Sequence, residues 1–417
     1  MQKEDQPKSK FKITTLGAIA KKDKHAMVDG PFGSNLPASA YVSDGIPIIR
    51  GSNLSLGKER FNSDEYAFVS EETAQRLSRS FCYPNDIIFT KKGTLGQTGI
   101  VPEHSKYQKF LISSNQMKIS VDSEVADPEF VYYYVSSPSS QKRIIQESSA
   151  AGVPKINLEY LRNFPIHLPP LPTQQRIVEI LSNYDRLIDN NTRRIALLEE
   201  SIHRLYQEWF VYLRFPGCDR VKVVDGVPEG WSRQTLNDIC SNIRQGIHPS
   251  QTEPNTPYVG LEHIPRQSIA LADWGFSRDV DSNKFKFAHR DILFGKIRPY
   301  FHKVVIAPMA GICSSDTIVM RPINEEFLGL LLSLTSNISF VDFASKTSKE
   351  GSKMPRADWQ VMKQYPVLVP PQSTLNNFNG LVINAASQIE NLVFTNQKLR
   401  EARDLLLPRL MNGSLAV

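Results

Sequence analysis

Residues 173–209 and 374–410 are two copies of one long helical pattern, each following a nearly identical proline-rich lead-in. The first lead-in reads NFPIHLPPLP and the second QYPVLVPPQS. Phe164 and Tyr365, Pro165 and Pro366, Pro169 and Pro370, and Pro170 and Pro371 all correspond at one offset of 201 residues. Apolar residues in the first copy recur in alternating steps of four and three: Ile177, Leu181, Tyr184, Ile188, then Asn191, then Ile195, Leu198, Ile202, Leu205 and Trp209. The second copy runs Phe378, Val382, Ala385, Ile389, Leu392, Asn396, Leu399, Arg403, Leu406 and Leu410. Sustained heptads are the signature of helices that pack along a seam, and at 1.5 Å per residue each would be about 55 Å long. Two separate amphipathic helices, each on its own domain, are the simpler alternative.

A single polar residue in a seam specifies register. A parallel, in-step pairing sets Asn191 against Leu392 and Asn396 against Ile195, which buries both amides against hydrocarbon at about 1–3 kcal/mol each. The antiparallel pairing with ends matched brings Asn191 to Asn396, Ile177 to Leu410, Leu181 to Leu406 and Trp209 to Phe378. It also sets Tyr184 beside Arg403, within reach of a cation–π or phenol contact. The sequence therefore predicts an antiparallel coiled coil with Asn191 bonded to Asn396. An antiparallel pair of equivalent helices has an internal pseudo-two-fold axis, which carries the two globular parts to opposite ends. A ligand read by both must supply two sites at a fixed separation, as duplex DNA does.

The repeat extends upstream of the helices. Ser113-Ser114-Asn115 and Ser314-Ser315-Asp316 keep the 201-residue offset, each opening a strand-like run, QMKISV and TIVMRP. Asp86-Ile87-Ile88-Phe89 matches Asp291-Ile292-Leu293-Phe294, and IPIIRGSNL (46–54) resembles TPYVGLEHI (256–264). Short β-branched and aromatic runs alternating with turn clusters read as α+β. The expected division is a globular domain over 11–172, a spacer helix over 173–214, a second globular domain with its linker over 215–371, and a second spacer helix over 372–412.

The 417-residue chain is 41% hydrophobic and 22% charged, as a folded protein is, and its net charge of +6 mildly favours polyanionic partners. No run approaches the roughly 18 apolar residues of a spanning helix, and MQKEDQPKSKFK holds no signal core. The expectation is a cytoplasmic protein with no membrane contact. Cys82, Cys218, Cys240 and Cys313 lie far apart without CxxC, and the eight histidines do not cluster. Neither a disulfide framework nor a metal site is expected.

The run LPPLPTQQRIVEILSNYDRLIDNNTRRIALLEESIHRLYQEWF resembles the central region of type I restriction-modification specificity subunits, and VPPQSTLNNFNGLVINAASQIENLVFTNQKLREARDLLLPRLMNGSL resembles their second such region. GPFGSNL, IPIIRGSNL and KKGTLGQTGIVP are similar to pieces of the family's target-recognition domains. The second copy departs from the first where Gln174-Gln175-Arg176 becomes Leu375-Asn376-Asn377, so the two partner surfaces differ there. The resemblance implies a non-catalytic, sequence-specific DNA-binding subunit: two target-recognition domains read the halves of a split, asymmetric target on double-stranded DNA, and the paired helices set the unread gap. It further implies two modification subunits that methylate adenine with S-adenosylmethionine, and two restriction subunits that cleave with ATP and Mg. Those cofactors belong to the partners, none to this chain. No Asn-Pro-Pro or Asp-Pro-Pro tetrad, Walker A loop or Glu-x-Lys nuclease core is present. Two other readings stay open: a fragment or relative of a fused restriction and methyltransferase enzyme, and a coiled-coil assembly adaptor with no DNA specificity.

Phosphate contacts need Lys, Arg and loop amides, and base reading needs Arg, Lys, Asn, Gln or Ser at base edges. Candidates in the first domain are Arg50, Ser52, Asn53, Lys91, Lys92, Thr94 and Gln97, at predicted strand ends or in the glycine-rich loop of Gly93, Gly96 and Gly99. In the second they are Lys296, Arg298, Tyr300 and His302, with Glu262 and His263 matching Ser52 and Asn53. Lys155 in the first copy, and Lys349, Lys353 and Arg356 in the second, precede the proline lead-ins as further backbone contacts.

Overall fold

The computed structural model describes residues 11–63, 65–148, 154–346 and 354–417. Lys349 and Lys353 lie outside the described residues. The chain forms two compact units, Met1–Leu187 with Leu399–Val417, and Ile188–Lys398, and the two repeat one α+β plan.

In the first unit Met27–Asp29, Gln116–Ile119, Ile87–Thr90 and Thr98–Ile100 form an antiparallel four-stranded sheet in that order. In the second, Cys240–Asn242, Thr317–Pro322, Ile292–Gly295 and Val304–Ile306 do the same. Each unit adds a five-stranded sheet containing one parallel pair: Ile46–Ile49 beside Phe110–Ile112, and Pro257–Val259 beside Gly311–Cys313. The proline lead-ins are themselves strands. Pro165–Leu168 pairs with Lys12–Thr15, and Pro366–Val369 with Ser232–Thr235, so each proline opens a strand, where its missing N–H costs least. Apolar alternation is weak in the central strands because they are buried on both faces, Ile87–Thr90 and Ile292–Gly295 completely so.

The first long helix spans Leu171–Tyr206 and widens into a π turn at Gln207–Val211; the second spans Gln372–Met411. Within the first unit Ile177 and Leu181 share a core with Leu407, Leu410, Phe130 and Phe164. Within the second, Ile195, Ile202 and Trp209 share one with Phe378, Val382, Ile389, Leu331 and Phe340. The helices run antiparallel in both. In the second unit the buried Asn191 amide donates to the Asn396 carbonyl oxygen at 2.9 Å, and the Trp209 and Phe378 rings lie 5.5 Å apart.

The contact expected between Tyr184 and Arg403 does not form. Arg403 instead donates to the Asp185 carboxylate at 2.6 Å, with both side chains buried. The helix is rotated slightly from the strict apolar count, so Asp185 faces the seam and Tyr184 is only half-buried. Arg403 also donates to the Gly57 carbonyl at 3.0 Å and to Asp404 at 2.9 Å, while the Tyr133 hydroxyl donates to the other Asp185 oxygen at 2.5 Å. A buried charge is tolerated when every such partner is in place.

Candidate nucleic-acid interface

Each unit ends one central strand in the same backbone knot. In the first, the Lys91 amide donates to the Asn115 carbonyl at 2.8 Å, and the Lys91 carbonyl accepts from the Ile156 amide at 3.0 Å. In the second, the Lys296 amide donates to the Asp316 carbonyl at 2.8 Å, and its carbonyl accepts from the Ala357 amide at 2.9 Å. One residue further on, Lys92 bridges Lys155 and Ile297 bridges Arg356. Segments more than fifty residues apart in sequence thus bring Lys91, Lys92 and Lys155 together in one unit, and Lys296 and Arg356 together in the other. Two to three cations on fixed backbone form the electrostatic footprint that phosphate binding needs.

The side chains around each knot differ. Lys91 is half-buried with its ammonium 3.3 Å from the Asp29 carboxylate, whereas Lys92 and Lys155 are exposed. The loop beyond carries the exposed Thr94 and turns at Gly93, whose φ of +109° excludes an ordinary side chain. Gln97 turns inward: its amide donates to the Leu54 carbonyl at 3.4 Å and its oxygen accepts from the Thr90 hydroxyl at 3.3 Å. In the second unit Arg356 lies 3.5 Å from Asp316. Lys296 and Arg356, together with Arg244, Asn242, Phe285 and Trp359, line a groove of about 790 Å³. Neither Arg244 nor the aromatic walls were legible in the sequence, since they lie outside the repeated segments and are joined only by the fold.

Several expected readers are turn locks. Asn53 is 1% exposed; its oxygen accepts from the Arg50 amide at 2.9 Å and its amide donates to the carbonyls of Asn62 and Glu65. His263 stands at the matching position and does the same work, Nδ1 accepting from the Gly260 amide at 3.0 Å. The correspondence of Ser52-Asn53 with Glu262-His263 therefore holds in the backbone, but Asn53 and His263 are committed to the protein, and Ser52 and Glu262 are the exposed members. His302 is also turned inward, with its Nε2 2.8 Å from the Ser336 carbonyl. Burial pushes its imidazole below the ordinary value, so it carries no charge at neutral pH.

Arg50 and Arg298 keep unused capacity. Each has a solvent-shielded Nε–H with no hydrogen-bond partner among the described residues. Arg298 adopts a left-handed backbone, φ +49°, and its guanidinium lies 5.8 Å from the Phe301 ring centre. Tyr300, beside it, is 55% exposed. A shielded donor without an acceptor is uncommon in a folded protein.

Among the described residues no group of three or more His, Cys, Asp or Glu is placed to hold a metal ion, and no single helix is long and apolar enough to cross a membrane. Burial pushes the Cys240 and Cys313 thiols up to about 12, which leaves them unreactive packing groups.

Residues 43–200 match the family model of the type I restriction modification DNA specificity domain. The chain is 22% identical to the type I restriction enzyme MjaIX specificity subunit of Methanocaldococcus jannaschii, over 98% of this chain and 97% of that one. It is also 22% identical to the HindI specificity subunit of Haemophilus influenzae, over 78% of this chain and 87% of that one. Its fold is similar to the crystal structure of a type I restriction-modification S subunit from M. genitalium, with a TM-score of 0.56 at 15% identity over 99% of this chain and 98% of that chain. The matched domain and the relatives aligned along nearly the whole chain make it similar to the type I restriction-modification specificity subunits, and it shares the fold of one of them.

Proposed function

We propose that this chain is the DNA-reading subunit of a type I restriction-modification complex and does no chemistry itself. Each unit reads one half of a split target. Lys91, Lys92 and Lys155 hold backbone phosphates in the first half, with Arg50, Ser52 and Thr94 at its edge. Lys296, Arg298 and Arg356 do so in the second, with Tyr300 and Glu262 beside them. The observation that carries this reading is the doubled strand-end knot: two chemically similar cationic sites on one repeated backbone, differing in the side chains around them. A fixed scaffold with variable surroundings is what reading two different half-sites requires.

The long helices act as the ruler between half-sites and as the docking surface for two modification subunits, which bring S-adenosylmethionine. Restriction subunits, with ATP and Mg, join the same assembly in the cytoplasm. The globular segments 11–172 and 215–371 are the readers, and 173–214 and 372–412 the spacer. The purified chain is combined with its modification subunit and S-adenosylmethionine, and methylated adenines are mapped genome-wide. Methylation of one split motif is the expected result. Methylation without the partner would instead make the chain an enzyme, and modification with no sequence preference would make it an adaptor.

A further inference from the structure

Phe32 is 75% exposed, more than any other large apolar side chain among the described residues. It does not belong to a loose loop. Gly30, two residues before it, donates to the Gln116 carbonyl at 2.9 Å and packs so closely on the Ser113 carbonyl that a Cβ would lie 1.9 Å from its oxygen. Pro31 and Leu36 are buried, and the Asn35 amide closes back on the Phe32 carbonyl at 2.8 Å. The chain is pinned on both sides of the ring, so the phenyl is displayed by a rigid turn.

A cation is held at each end of that turn. At its start the Lys91 ammonium lies 3.3 Å from the Asp29 carboxylate, and at its end the Arg76 guanidinium donates to the Asn35 carbonyl at 3.3 Å. Lys91 is also the residue at the centre of the first strand-end knot. An apolar ring fixed between the Lys91–Asp29 ion pair and Arg76, with no protein surface over it, is poorly matched to water. It matches a duplex, where cations hold flanking phosphates while an apolar wedge enters a base step.

We infer that Phe32 is a wedge that inserts between base pairs of the first half-site and makes the first unit select for a deformable step there. The inference rests on the DNA-reading function proposed above. The strands of the second unit that take the equivalent place lead instead to Arg244 on the wall of the groove, so the first unit deforms its half-site and the second does not. Selection then comes partly from the cost of unstacking, which depends on the step being opened and needs no hydrogen bond to a base.

The test uses the full chain assembled with its modification subunits. The probe is a duplex carrying the motif found by adenine mapping, with 2-aminopurine placed in turn at each step of the first half-site except the methylated base. Wild type should raise the fluorescence at one step. Phe32→Ala should abolish that rise and lower the preference for motif over scrambled duplex by roughly 10-fold, within the range of lost base–aromatic contacts. Phe32→Leu and Phe32→Trp, which keep an apolar wedge, should restore both. Because the side chain is exposed, all three variants should melt with wild type. If Phe32→Ala keeps the wild-type fluorescence profile and preference, the wedge is wrong while the DNA-reading function stands. If wild type itself does not prefer the motif duplex, both are wrong.

Discussion

Replacing Arg403 by Ile should open the first unit and leave the second alone, because the charge it neutralises is buried within the first. Asp185 is 4% exposed and Arg403 6%, and the pair is joined at 2.6 Å. With Arg403 gone, the carboxylate keeps one hydrogen bond, from the Tyr133 hydroxyl, with Arg60 as the remaining nearby cation, and the Gly57 carbonyl loses its donor. An uncompensated buried charge of this kind costs about 3–5 kcal/mol. At the matching layer of the second unit the same two places are held by Ala386 and Ile202, at 5% and 3% exposure, so an apolar pair fits this geometry. Asp185→Ala with Arg403→Ile should therefore recover most of the loss, leaving about 1–3 kcal/mol for the stranded Tyr133 hydroxyl. Adding Tyr133→Phe should bring the triple variant near wild type. A single melting temperature is a poor measure for a two-unit chain, so the assay is hydrogen exchange on two helices. Amides of Pro128–Val135, which carries Tyr133, should exchange roughly 10³-fold faster in the single variant, and those of Leu328–Thr335 should not change. A double variant as labile as the single, or equal acceleration in both helices, would show that the ion pair is not what holds this layer.

The long helices, their antiparallel register and the asparagine pair follow from residues that report on themselves. Periodic apolar positions survive any choice of tertiary partner, and an amide in an apolar seam has few alternatives to another amide. Asp185 escaped because the heptad count gave the seam position to its neighbour Tyr184, and only the carboxylate's bond to Arg403, already counted in the seam, reveals that it is buried. Asn53 and His263 escaped for a related reason. A polar residue at a strand end reads alike whether it faces solvent or accepts a backbone amide three residues earlier, and the loop conformation decides between them. The strand-end knots and the groove were beyond a local reading altogether. They join Lys91 to Ile156 and Lys296 to Ala357, contacts set by the sheets and not by spacing. The parallel pairs inside each five-stranded sheet are equally non-local.

Lys92→Ala and Lys155→Ala should weaken binding to motif and scrambled duplex alike and lower the slope of log affinity against log salt by about 1 each; a change confined to the motif duplex would make them base readers. Glu199 tests the second unit through pH. Burial raises its carboxyl above the ordinary value although it accepts from the Ser268 hydroxyl and the Ile269 and Ala270 amides. A raised folded value means that its full contribution is present below the ordinary Glu range and is lost as pH rises through the folded value. Glu199→Gln should therefore flatten the stability of the second unit as pH rises above the ordinary Glu range, whereas Glu199→Ala, which strands the Ile269 amide and leaves Ala270 only the Ser268 hydroxyl, should destabilise it by about 1–3 kcal/mol throughout; a Gln variant with an unaltered pH slope in hydrogen exchange would assign that slope elsewhere. The ruler is tested by adding one heptad to each helix, after Ile188 and after Lys398, so that the seam stays continuous in both. Seven residues lengthen a helix by about 10 Å, which is about three base-pair steps. The methylated motif should keep both half-sites and widen its gap by about three base pairs. An unchanged gap would mean that bound DNA or the modification subunits set the spacing, and that the duplicated helices only hold the assembly together.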